Sequence, residues 1–356
     1  MYSDEDLNSA VAAGAVSAEA ASALRAHVSK IRDMPRGDEE NFRLITSFND
    51  VFVAIGAVIM LVAAGAIGEA IMPSVDGPSM LAGAFVAATA WGLAEFFTRK
   101  RRMALPSIIL LLAFVGGVFA AQLGLIVSLA ENDNERLAAG LIAISALITA
   151  GAAWLHWRRF MVPITVAAGA VAVGVSVIAL VAAIVMPMFD NDGERIIIPL
   201  VFMVGLAIFA LAMRWDASDR ARTTRRSDVA FWLHLAAAPM LAHPLFHWLG
   251  VTDGGDIGVG AAAGVLLVYI AMGLVALAID RRALLVSALA YVLIALTFLF
   301  DRFGAVELNF ALTALVIGSA LLTLSAFWTP MRRLVVEKLP NDIQARLPEA
   351  HMLPAE

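Results

Sequence analysis

A chain of 356 residues with 61% hydrophobic and 15% charged residues, and a mean hydropathy of +0.85, is far from a soluble domain, in which about a quarter of residues carry charge. This balance points to a polytopic membrane protein. The absence of cysteine excludes disulfides, thiolate nucleophiles and Cys-ligated metal or iron–sulfur centres. A net charge of −5 says less than where the charges lie.

Residues 1–46 read as a small helical leader. Ser3 can cap a first helix with Asp6 three residues on, Gly14 is placed to end it, and Ser17 can cap a second, SAEAASALRAHVSKI. The leader contains no apolar stretch of signal-peptide type, so no cleavable signal is expected. It is too short to build a robust core alone, and is expected to pack on the membrane domain, on a partner, or on itself in a dimer.

Residues 47–330 hold ten apolar runs of spanning length: 50–72, 78–97, 105–129, 136–155, 161–188, 196–213, 229–249, 257–279, 283–300 and 306–329. The fold class expected is therefore an all-α transmembrane bundle. The short links 97–105 and 279–283 require helical hairpins. The tail 331–356 opens as a basic amphipathic stretch, suited to the headgroup layer, and is interrupted by Pro340, Pro348 and Pro354.

Orientation follows from Lys and Arg in the connections. One alternating set, which includes Arg99–Arg102, Arg158, Arg159, the segment 214–226, Arg281 and Arg282, holds 22 of the basic residues. The other holds three: Arg136, Arg195 and Arg302. Ten crossings with both termini cytoplasmic are expected.

The stretch DLNSAVAAGAVSAEAASALRAHV resembles the opening of a broad group of uncharacterised bacterial inner-membrane proteins, in which a short helix, a Gly turn and Ser-x-Glu-x-Ala precede many apolar spans. The resemblance implies a multi-pass location in the bacterial cytoplasmic membrane and carries no activity or cofactor. Ten spans with both ends inside is also the layout of drug/metabolite-type transporters, built as two inverted five-helix repeats. The two halves of this chain show no matching sequence.

The segment FWLHLAAAPMLAHPLFHWLG (231–250) concentrates three of the six histidines, His234, His243 and His247, around Pro239 and Pro244. Ionisable groups at membrane depth are functional candidates by default. At about 100° per residue His243 and His247 share a face and His234 lies opposite, unless proline kinks realign it. Two readings stand. One is a proton or substrate path, to which Tyr269 and Gln122 could contribute; the other is neutral imidazoles hydrogen-bonded between helices. A metal would need further ligands.

The acid-rich loops of the opposite face include Asp190, Asp192 and Glu194, which can bind a divalent cation weakly or simply cap a helix and favour its dipole. Glu95 and Arg99 are spaced for an ion pair, and Asp280-Arg281-Arg282 for an ion-paired interfacial turn. There is no HExxH, P-loop, GxSxG or GxGxxG signature. No catalytic residue, cofactor or nucleic-acid partner is expected. The sequence leaves two functions open. One is a carrier or channel for a small solute, lipid or cation, built on the seventh span. The other is a non-catalytic membrane subunit that meets lipids, a partner protein or a second copy of itself.

Overall fold

The computed structural model describes residues 11, 13–24, 48–74, 77–129, 135–185, 193–220, 222, 224–252, 258–302 and 309–348. The chain divides into two units, Met1–Asn41 with His351–Glu356, and Phe42–Ala350. In the first, Gly14 turns the chain at φ +70°, with its N–H bonded to the Val11 carbonyl at 3.0 Å. Ser17 Oγ then accepts from the Ala20 N–H at 3.1 Å, opening a helix over 18–24. The glycine turn and serine cap are where the sequence places them. The cap expected at Ser3 lies outside the described residues.

The second unit is helical throughout its described secondary structure. Its helices are α1 (Phe48–Ile71), α2 (Met80–Ala94, continued by a π-helical turn Glu95–Lys100), α3 (Ala104–Leu129), α4 (Glu135–Phe160) and α5 (Ile164–Val185). There follow α6 (Gly193–Ala217), α7 (Arg225–Trp248), α8 (Val259–Ile279), α9 (Ala283–Arg302) and α10 (Asn309–Ala326). Two short helices, α11 (Trp328–Val336) and α12 (Asn341–Gln344), complete the described chain.

All ten apolar runs are helices, but they are not equivalent. Among the described residues, α1 to α8 are the eight long and apolar enough to cross a membrane, as expected of a multi-pass membrane protein. The apolar part of α9, Leu284–Phe300, is shorter. Helix α10 qualifies only together with α11, from which it is bent by 74°. The run read as 306–329 thus stops at Ala326. The cause is Pro330, whose ring clashes with the carbonyl four residues upstream, that of Ala326 itself. Phe327 leaves helical geometry at φ −107°, ψ 21°, and α11 restarts with Pro330 in its first turn, where a missing N–H costs little.

Both expected hairpins are present, and a third tight one joins α4 to α5. The connections α2–α3, α4–α5, α6–α7 and α8–α9 each contain a left-handed residue that is not glycine: Arg102, Met161, Arg222 and Asp280, with φ of 54°, 55°, 54° and 59°. These four turns gather at one end of the bundle, called the basic end below. There Glu95 of α2 pairs with Arg99 at 3.2 Å, as its spacing suggests, and also with Arg159 of α4 at 2.7 Å.

Small residues let the helices approach closely. Ala90, Ala94, Ala212, Ala237, Ala242, Ala262 and Ala288 are fully buried. Helices α1, α2 and α3 form one mutually packed group, α4 pairs with α5, and α7 packs against α5, α6 and α9. The second half does not reproduce the α1–α3 trio, because α7 turns to α9 rather than α8. The α2–α3 contact runs through facing glycines. A Cβ on Gly117 would lie 2.7 Å from the Gly83 carbonyl oxygen and 2.8 Å from the Ala87 nitrogen, whereas one on Gly116 would meet nothing within 4 Å.

Gly117→Ala is therefore expected to destabilise the bundle by about 1–3 kcal/mol through forced backbone separation, while Gly116→Ala is neutral or slightly stabilising. Thermal unfolding of the two variants in the same detergent measures the difference.

Candidate functional site

The polar interior is assembled at the basic end, where α6 closes and α7 opens. Asp219 Oδ2 accepts from the backbone N–H and hydroxyl of Thr224, at 3.0 and 2.7 Å. Thr224 in turn caps α7 through the Arg226 N–H. This turn sets Asp216, in the last turn of α6, beside His234, less than three turns into α7.

Helix α8 ends in a Schellman motif: the Asp280 N–H bonds Leu277 O and the Arg281 N–H reaches back to Ala276 O. Glycine usually fills the left-handed position of this motif; here it is Asp280, an acidic residue that tolerates that conformation. The reversal drives the Arg281 side chain into the bundle. Its Nη2 donates to Asp216 Oδ1 at 2.6 Å and to the Ser227 carbonyl at 3.1 Å. On the other oxygen, Asp216 Oδ2 lies 2.9 Å from His234 Nε2. Asp216, His234 and Arg281 are all fully buried. The carboxylate can only accept, so Nε2 carries the proton that His234 donates, and a neutral imidazole leaves the trio with zero net charge. Nδ1 is then a buried lone pair with no hydrogen-bond partner among the described residues.

A second carboxylate sits one residue before Arg281. Asp280 receives Arg222 Nη1 at 2.8 Å and the Trp328 indole N–H at 2.6 Å, with Arg332 Nε at 3.8 Å. Burial, and next the like charge of Arg281, draw the Arg222 guanidinium below its ordinary range, and Asp280 acts in the opposite sense. Arg220 and Arg332 donate to the carbonyls of Leu347 and Pro348, which ties the segment after α12 to this network.

Nearer the far end of α7, Tyr291 of α9 places its hydroxyl 2.7 Å from His243 Nδ1, while Phe246 stacks on the Tyr291 ring. His247 Nδ1 is 2.8 Å from Thr252 Oγ1, and the His243 and His247 rings are 6.4 Å apart. These two histidines share a face, as their spacing requires. His234 does not join them. Helix α7 runs unbroken through Pro239 and Pro244, and the imidazole finds its partner on α6.

The other sequence candidates have separate places. Gln122 donates to the Val118 carbonyl and to Thr149 Oγ1, linking α3 to α4. Tyr269 packs on the apolar cluster of α8 and α9. Glu194 is exposed in the first turn of α6, the position that favours the helix dipole. Asp190 and Asp192 lie outside the described residues. Among the described residues no three His, Asp or Glu side chains are grouped to hold a metal ion.

Asp216, His156 and the Tyr291 partner of His243 escape a sequence reading, and Arg281 is read only in part. Asp216 is hidden in a segment dominated by arginine. Arg281 is ion-paired as the DRR turn suggests, but with Asp216, 65 residues away. His156, fully buried, sets its Nδ1 3.3 Å from Thr165 Oγ1 and packs its ring among Trp91, Phe114 and Phe160. Its only sequence signal is being a histidine in an apolar helix. Comparisons with family models, curated proteins and solved structures find no match to this chain, so the functional reading rests on geometry.

Removing Asp216 leaves a buried guanidinium without its counter-charge, a loss of about 3–5 kcal/mol, whereas replacing both charges by apolar groups costs less. Asp216→Asn and Arg281→Met should each lower the melting temperature more than Asp216→Leu combined with Arg281→Met. A double-mutant cycle read by thermal unfolding checks this.

Proposed function

We propose that the chain is a carrier for a small solute or cation in the bacterial cytoplasmic membrane, crossing it ten times with both termini inside. The orientation is supported by the distribution of 22 basic residues against three. Function is carried by one observation. Along α7 stand two polar stations, one closed by a residue of the α8–α9 turn and the other by a residue of α9. They are Asp216–His234–Arg281 at the basic end and His243–Tyr291 farther along. His234 and His243 are nine residues apart in α7, about 14 Å at the rise of an α-helix. The layer between them is apolar and dry, with Ala237, Ala238, Ala242 and Ala288 fully buried. In this reading His234 and His243 are proton or substrate contacts on either side of a closed gate.

The same dry layer favours a second reading. A permanently solid α7 suits a non-catalytic membrane subunit whose polar groups serve to lock helices, and which assembles with a partner.

Accessibility separates the two. The chain lacks cysteine, so Ala242→Cys and Ala288→Cys each introduce a unique thiol into the dry layer. A carrier exposes that thiol during its cycle, and a small methanethiosulfonate cation reacts with it in native membranes. Protection for hours, while an Arg226→Cys control reacts within minutes, rejects the carrier and leaves the subunit. Reaction of Arg226→Cys only after permeabilisation of intact cells tests the orientation.

A further inference from the structure

We infer that α11 is an interfacial helix that seats on the headgroups of an anionic bilayer. The inference needs only a bundle in a membrane and is independent of what the bundle carries. Pro330 ends α10 at Ala326, and the 74° bend turns α11 nearly across the direction of α10. An α10 that enters a bilayer thus leaves α11 lying close to the plane of its surface.

The two long faces of α11 differ in what they meet. Trp328, Arg332 and Val336, spaced by four, are buried. Trp328 and Arg332 reach Asp280, and Arg332 also bonds the Pro348 carbonyl, so this face is anchored to the bundle. Phe327, immediately before α11, and Met331 and Leu334, about 60° apart at 3.6 residues per turn, remain 55%, 38% and 60% exposed. An apolar strip on a helix whose inner side is already fixed suits acyl chains just below the headgroups.

Charge selects the lipid. Arg333 flanks the strip, and Lys338 and Arg346 are exposed beyond it. At the same end Arg225, Arg226 and Arg282 are exposed, against the carboxylates of Glu337 and Asp342. Arg282 is further placed over the Trp328 ring, with Cζ 4.8 Å from its centroid. The exposed charge at this end is positive in surplus, matching the phosphate of an anionic phospholipid. Each basic residue held at such a surface strengthens binding about fivefold.

The experiment uses the full chain carrying a nitroxide on Leu334→Cys, in nanodiscs of phosphatidylcholine alone or mixed with phosphatidylglycerol. Seated on lipid, the label collides with oxygen more than with an aqueous nickel complex. Nickel access falls severalfold when phosphatidylglycerol is added, and Arg333→Gln with Lys338→Gln removes that fall. A label equally open to nickel in both lipids overturns the inference. So does dipolar broadening from a second labelled copy, which means that protein covers the strip. Met331→Cys repeats the measurement at a second position, and Leu315→Cys, on the exposed side of α10, reports that the bundle is folded.

Discussion

A guanidinium with no access to water has to be neutralised where it lies, and the basic end of this protein is organised around that demand. Asp216 answers Arg281 with both oxygens and shares one of them with His234. The carboxylate comes from α6, the imidazole from α7 and the guanidinium from the α8–α9 turn. None of those elements can shift alone without stranding a charge, which is far costlier than losing an ordinary contact. The neighbouring Asp280 extends the same logic, with Arg222, Trp328 and Arg332 as partners. Elsewhere alanines and glycines bring backbones together by shape, with single hydrogen bonds such as Gln122–Thr149 and His243–Tyr291 between the helices.

The helices were legible because the bilayer writes them plainly: runs of about 20 apolar residues, bounded by charge. Helix ends were less so when their cause acts at a distance. Pro330 stops α10 four residues before itself, so the apolar run continues past the point where the backbone has already turned. The left-handed turns were invisible for a related reason. Arg102 and Met161 carry no turn signature, and their positive φ is imposed by closing a hairpin between two packed helices rather than by local preference.

The site divides in the same way. Spacing alone placed His243 and His247 on one face and His234 away from them, because helical periodicity is a property of the sequence. The partners were not available to that reasoning. Asp216 sits among arginines, Tyr291 lies 48 residues from His243, and nothing local says that α7 will rest on α9. The realignment that Pro239 and Pro244 left open does not occur: α7 stays helical through both prolines, and α6 offers His234 a carboxylate. A buried polar group is satisfied by the nearest good partner, not by the one that would complete a motif.

The four left-handed turns have a mechanical meaning as well. They stitch α2 to α3, α4 to α5, α6 to α7 and α8 to α9 at a single end, like the binding of a book. The charge-neutral trio is glued into that same spine. A helix of any one pair therefore moves with its partner at this end, and the trio carries the same constraint from α6 and α7 to the α8–α9 turn.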